Sequence, residues 1–335
     1  MTKKIVNTIK PTTILSGFLG AGKTTYLNHL LNSKPDTRFA IIENELGKQS
    51  IDSELIIRAE DGIVELNNGC LCCSLNDNLY DILNTLFERK DEYDEIIIEA
   101  TGVADPRGLA EPFIVHPAIK KQFPLKGIIC LVDAELVEDQ IQETEEAIHQ
   151  VTFSDILLVN KTDLVTKQYL NDLSQRLQQL NPLAKIVFGH QNNFPDIEIT
   201  AHNTDLDKIL DAPHSHNAPT LLFPVQKSHH HHHHEHTDVV SIILTFDRPF
   251  NRQKLGYVLT VYLTLQAKDL YRMKGLLWFK DLEEQYVLQS VGKRHSIDAK
   301  RPWKPTEKRE SKIVFIGKNI QRKGLERIMK QCLDK

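Results

Sequence analysis

The sequence has no run approaching the roughly 20 apolar residues that a membrane-crossing helix needs. Its start, MTKKIVNTIKP, carries lysines but no apolar stretch of the kind a secretory signal requires. The expectation is a cytoplasmic chain with no membrane partner. Cysteine is scarce: five in 335 residues, three of them crowded as Cys70, Cys72 and Cys73. An odd, clustered set excludes a disulfide framework and points to metal or thiol chemistry. Cys130, inside GIICLVDA, reads as a small buried hydrophobe. A strong excess of charge is also missing. A net charge of −4 argues against binding nucleic acid in bulk. There are no internal repeats, and Trp278 and Trp303 read as core or interface residues. What charge there is, is unevenly placed. From Val291 to Lys335 there are fourteen Lys and Arg against five Asp and Glu, while the rest of the chain is net acidic. That segment either packs beside an acidic region or offers a face to an acidic partner.

The first 200 residues alternate apolar runs with helical patterns. TTILSGF, FAIIENE, EIIIEATG, KGIICLVDA, DILLVNKTD and AKIVFG are nearly continuous in apolar content, as strands buried on both faces should be. Leu75, Leu79, Ile82, Leu83 and Leu86 mark one face of a helix from Ser74 to about Arg89, opened by a capping box. Asp105-Pro106 opens another helix. This alternation predicts an α/β fold with a doubly wound, mostly parallel sheet over 1–200. Residues 201–238 are rich in Pro and His and read as a linker. From Val239 the texture changes. VVSIILTF, GLLWFKD, QYVLQSVG and SKIVFIG read as strands, and NRQKLGYVLTVYLTLQ and GLERIMKQCL as helices. That is a smaller α+β domain over 239–335.

GFLGAGKTT, Gly17 to Thr25, fits the P-loop pattern G-x-x-x-x-G-K-[ST] between a strand and a helix. Gly17, Gly20, Ala21, Gly22, Lys23, Thr24 and Thr25 form the expected phosphate cradle, with backbone N–H groups and the helix N-terminus aimed at phosphate oxygens. Lys23 is expected to reach the β- and γ-phosphates, and the Thr24 hydroxyl to ligate Mg²⁺. After another apolar strand, Asn160-Lys161-Thr162-Asp163 resembles the N-K-x-D element of GTPases. There the Asp accepts from guanine N1 and N2 and the Lys covers the base. Adenine lacks that donor pair, so the buried carboxylate would be left unpaired. EIIIEATG supplies Glu99 and Gly102, resembling a P-loop acidic element in which a carboxylate orients Mg²⁺ or water and a glycine senses the γ-phosphate.

NNGCLCCSLND follows the strand GIVEL and precedes the Ser74 helix. In an extended segment Cys70 and Cys72 face one side and Cys73 the other, so two sulfurs plus an outside ligand hold one ion more readily than all three. A helix N-terminus at Ser74 favours thiolates. Soft thiolates suit Zn²⁺ or Cu(I), and a mixed tetrahedron also admits Co²⁺. Glu43 and Glu45, at i and i+2 on a strand, share a face where strand ends converge on a ligand. They are placed to reach the Mg²⁺–phosphate region, the thiolates, or both.

Together GFLGAGKTT, ENELG, GCLCC, EATGVADP and NKTD, followed by a His-rich linker and by KGLLWF and VLQSVGKR, resemble the CobW family of GTP-dependent metallochaperones. The likeness spans nearly the whole chain. It implies that Lys23 and Thr24 handle phosphate and Mg²⁺, that Asn160 and Asp163 read guanine, and that Cys70, Cys72 and Cys73, with Glu45, hold the metal to be transferred. The function it implies is GTP hydrolysis to GDP coupled to delivery of Zn²⁺, or Co²⁺, to a client metalloprotein. A metal buffer or sensor, with GTP as a structural ligand only, is the alternative. A small-molecule kinase would leave NKTD and GCLCC unexplained.

Six consecutive histidines, His229–His234, lie between His214, His216 and His236. Imidazole suits Zn²⁺ and Co²⁺, but a run without fixed geometry offers weak, interchangeable sites. The tract reads as a capture or storage loop feeding ions toward Cys72, with a solvated linker without function as the alternative. Deleting His229–His234 is expected to leave GTP hydrolysis intact and to lower the zinc bound per chain, measured by phosphate release and metal analysis. Collapse of hydrolysis would place the tract inside the site.

Overall fold

The computed structural model describes residues 9–43, 54–59, 62–66, 75–191, 193–197 and 239–334. The chain divides into two compact units. One comprises Met1–Gln140, Thr144–Leu170 and Lys185–Asn203; the other Ile141–Glu143, Asn171–Ala184 and Thr204–Lys335.

The first unit is built on an eight-stranded sheet of β1 (Thr12–Gly17), β2 (Phe39–Glu43), β3 (Glu54–Ala59), β4 (Gly62–Leu66), β5 (Glu95–Glu99), β6 (Leu125–Asp133), β7 (Ile156–Asn160) and β8 (Lys185–Phe188). Their order is β4-β3-β2-β5-β1-β6-β7-β8. From β2 to β8 every pairing is parallel, and β3 and β4 add an antiparallel edge. All six residues of β1 and all five of β7 are buried, as strands covered on both faces are; in β1 these include the polar Thr12, Thr13 and Ser16. Helix α1 (Lys23–Ser33) packs Tyr26, Leu27 and Leu31 on Leu15, Ile97 and Leu131. After α2 (Leu75–Glu88) the chain forms helices α3 (Pro106–Val115), α4 (Pro117–Gln122), α5 (Val137–Glu143), α6 (Glu145–Phe153) and α7 (Lys167–Leu180); the end of α5 and α7 from Asn171 onward are counted with the second unit. Of these, α3 and α6 pack on β1 and β6 and share none of the side chains under α1. The Asp105 carboxylate caps α3 by accepting from Arg107 N at 2.9 Å, ahead of Pro106. The Ser74 of the expected capping box lies outside the described residues, as do 201–238.

The second unit carries a five-stranded antiparallel sheet, β12-β11-β10-β13-β9. Its strands are β9 (Val239–Phe246), β10 (Leu270–Leu277), β11 (Glu284–Val291), β12 (Arg294–Pro302) and β13 (Ser311–Lys318). Helices α8 (Arg252–Gln266) and α9 (Arg322–Lys330) belong with it. Three details depart from the sequence reading. The strand expected at GLLWFKD begins at Leu270 and ends at Leu277, because Arg272 and Lys274 are buried within β10 and interrupt its apolar run. Strand β12, RHSIDAKRP, is an edge strand whose Ile297 packs against the core, so it shows no apolar pattern. Strand β3, ELIIRA, extends the other sheet between β2 and β4. Trp303 is buried, as its core reading requires.

In α8 the leucines at 255, 259 and 263 are fully buried, while Leu265 is 74% exposed. Leu259→Ala is expected to destabilise the chain by about 2–5 kcal/mol, and Leu265→Ala by no more than about 0.5 kcal/mol. Urea unfolding of the two variants measures the contrast.

Candidate nucleotide site

The C-terminal ends of the parallel strands are where a doubly wound sheet offers its ligand crevice, and Lys23, Thr24, Glu43, Glu99, Gly102 and Asn160 stand at or just beyond such ends. The loop after β1 turns through three glycines with positive φ: 137° at Gly17, 77° at Gly20 and 101° at Gly22. At two of them shape also demands glycine. A Cβ on Gly17 would stand 2.4 Å from the Leu131 carbonyl oxygen, and one on Gly22 2.4 Å from Nδ2 of Asn160. This wrapping folds Lys23 over its own loop, where Nζ donates to the carbonyls of Gly17 at 2.9 Å and Phe18 at 3.2 Å. Burial lowers the pKa of this ammonium, and the charge of Glu99 opposes the shift.

Thr24, in the first turn of α1, donates its hydroxyl to Oε1 of Glu99 at 3.0 Å. Glu99 is brought there by β5, whose last residues are tied to β1 through Ala100 N and the Leu15 carbonyl at 2.8 Å. The strand register sets Glu43 of β2 directly beside Glu99. Three oxygen-bearing side chains thus stand at adjacent strand and helix ends. Hydroxyl and carboxylate are the hard donors that Mg²⁺ takes beside phosphate, so Thr24 and Glu99 fit that ion. Gly102 lies against the P-loop so closely that a Cβ would meet Leu19 N at 2.6 Å and its Cα at 2.7 Å.

The N-K-x-D element is tied to the same loop. Asn160 ends β7, is buried, and donates Nδ2 to the Ala21 carbonyl at 3.0 Å. Lys161 takes a left-handed conformation, φ 58°, and places Nζ 2.6 Å from Oδ2 of Asp133, which is 1% exposed. Asp133 in turn accepts Glu135 N at its other oxygen, 3.0 Å. Thr162 anchors the turn by donating its hydroxyl to the Gly189 carbonyl at 3.1 Å, and the exposed Asp163 accepts from Gln191 Nε2 at 2.7 Å. The sequence reading did not single out Asp133. Its signal was its place at the end of β6, in register with Asn160.

The thiolate half of the expected site does not enter this geometry. Cys70, Cys72, Cys73 and Glu45 lie outside the described residues, and so does His229–His234. Among the described residues no group of three or more His, Cys, Asp or Glu is arranged to hold a metal. Cys130 is buried and its thiol is pushed up to about 12 by that burial, which agrees with its reading as a core residue. No described helix is long and apolar enough to cross a membrane.

A doubly wound sheet whose glycine-wrapped lysine loop is braced by the asparagine at the end of β7 defines a P-loop nucleotide-binding protein. Residues 11–188 match the CobW/HypB/UreG nucleotide-binding domain and residues 239–333 the C-terminal domain of cobalamin synthesis protein CobW. The chain belongs to the CobW/HypB/UreG family. It is 33% identical over 309 residues to the zinc chaperone YjiA of Escherichia coli, covering 91% of this chain and 93% of that protein. It is 26% identical over 359 residues to the zinc chaperone CobW of Pseudomonas aeruginosa, covering 96% and 91%. The crystal structure of zinc-bound YjiA GTPase from E. coli superposes with a TM-score of 0.68 at 29% identity, covering 97% of this chain and 99% of that one.

Gly22→Ala tests the junction of loop and base element. The new methyl is expected to break the Asn160–Ala21 bond and to weaken guanine-nucleotide binding by about tenfold or more. Titration with a fluorescent GDP analogue measures it.

Proposed function

We propose that this chain is a metallochaperone that uses GTP. It is a P-loop GTPase, and the cargo it serves is a transition metal, Zn²⁺ first and Co²⁺ second, delivered in the cytoplasm to a client apoprotein. Two relatives that match over nearly their whole length are named zinc chaperones, which supports this cargo.

In this reading Lys23 and the P-loop amides bind the β- and γ-phosphates, and Asn160, Lys161 and Asp163 select guanine. Thr24 and Glu99 would hold Mg²⁺, which supplies charge neutralisation on the phosphates when bound. Cys70, Cys72 and Cys73 take the cargo, with Glu45 as the outside ligand. The observation that carries the proposal is the pairing of Glu43 with Glu99 across β2 and β5. Glu99 holds the Thr24 hydroxyl, and Glu43 begins the stretch that leads through Glu45 toward the cysteines. Nucleotide occupancy at Thr24 and Glu99 therefore bears directly on the strand end from which the cargo ligands emerge. A γ-phosphate that orders this strand end tightens the metal site, and hydrolysis loosens it.

Coupling of this kind is reciprocal: if GTP tightens zinc, zinc tightens GTP by the same factor. Zinc affinity measured by competition with a chromophoric chelator is expected to be at least about fivefold higher with a non-hydrolysable GTP analogue than with GDP. Cys72→Ala is expected to abolish that difference. Equal zinc affinity in both nucleotide states would overturn the coupling.

A further inference from the structure

Two neighbouring side chains of α6 reach across to the segment that carries Gly102. Gln150, 1% exposed, donates from Nε2 to the carbonyls of both Gly102, at 3.0 Å, and Ala104, at 3.1 Å. One residue earlier, Nδ1 of His149 lies 2.9 Å from an Arg107 amino group, and Arg107 grips the Asp105 carboxylate through two nitrogens. A guanidinium only donates, so Nδ1 accepts and the His149 ring is neutral. Burial, reinforced by Arg107, holds the imidazole pKa below its usual range, which keeps it so.

The segment itself is a tight turn. Ala104 N donates to the Thr101 carbonyl at 3.0 Å. On one side Gly102 is pressed against Leu19 of the P-loop, with no room for a Cβ. On the other side stands Gln150. The helix that carries Gln150 is itself firmly set, for Ala147, Ile148, Val151, Thr152 and Phe153 are buried around it. Ser154 adds a hydroxyl bond to the Gln150 carbonyl at 2.6 Å. A primary amide puts two hydrogens on one nitrogen, so a single side chain satisfies two convergent carbonyls. No apolar residue of the same size does this, and the carbonyls would then be left buried without donors.

We propose that Gln150 is a positioning residue for the γ-phosphate: it fixes the Thr101–Ala104 turn in the conformation in which the glycine at 102 meets GTP but not GDP. The inference rests on the GTPase reading above. Gln150 touches no substrate. It acts through the Gly102 and Ala104 carbonyls that fix this turn, so removing its donors discriminates between the two nucleotides, whereas a purely structural loss would weaken both alike.

The test is Gln150→Met in the full-length chain, with Mg²⁺ present and affinities for a non-hydrolysable GTP analogue and for GDP measured by calorimetry. The expected result is a GTP-analogue affinity reduced about tenfold with GDP affinity unchanged within about twofold. If Gln150→Met does not fold, Gln150→Glu carries the same measurement. As a neutral acid it satisfies one of the two carbonyls and gives an intermediate ratio. An unchanged ratio, in a variant of a chain whose wild type binds both nucleotides, overturns the inference alone. Failure of the wild type to bind either guanine nucleotide would overturn the GTPase reading and the inference with it.

Discussion

The bond from the Asn160 amide to the Ala21 carbonyl is the joint on which the nucleotide site depends. It fastens the end of β7 to the loop after β1, two strands away in the sheet. It forms only because Gly22 has no Cβ, since a methyl there would occupy the space of the amide nitrogen. The glycine-rich loop and the N-K-x-D element are thereby held in one frame, the kind of preorganisation that spares ordering entropy on binding. Asp133 completes the frame from the neighbouring strand end by holding Lys161 in its left-handed turn.

Donor hardness divides the candidate ligands chemically. Oxygen donors at Thr24, Glu99 and Glu43 suit a hard ion beside phosphate. The sulfurs of the GCLCC stretch suit a soft one. In the sequence the GCLCC stretch follows Glu43, the last residue of β2, by way of β3 and β4.

Much of the architecture was legible. The parallel strands read as apolar runs because both of their faces are covered, and the Asp105-Pro106 cap marked the start of α3 where the carboxylate does accept a helix N–H. The P-loop and N-K-x-D patterns led to residues that the fold brings together. The illegible parts share a cause. Strand β12 packs one apolar side chain on the core, and β10 buries Arg272 and Lys274, so neither presents the periodicity of a strand. Asp133 and Gln150 are polar residues whose importance lies in what they hold, not in a motif.

The sequence by itself determined the chemistry available: glycines where the chain must turn tightly, a lysine and a hydroxyl for phosphate, a carboxylate for a hard ion, clustered thiols for a soft one. Those follow from residue type and local spacing. Only the tertiary structure decided which of these groups act on one another. Asn160 meets Ala21 across 139 positions of sequence, Thr24 meets Glu99 across 75, and Gln150 meets Gly102 across 48. Contacts at such separations are fixed by strand order and helix packing, and no local pattern encodes them.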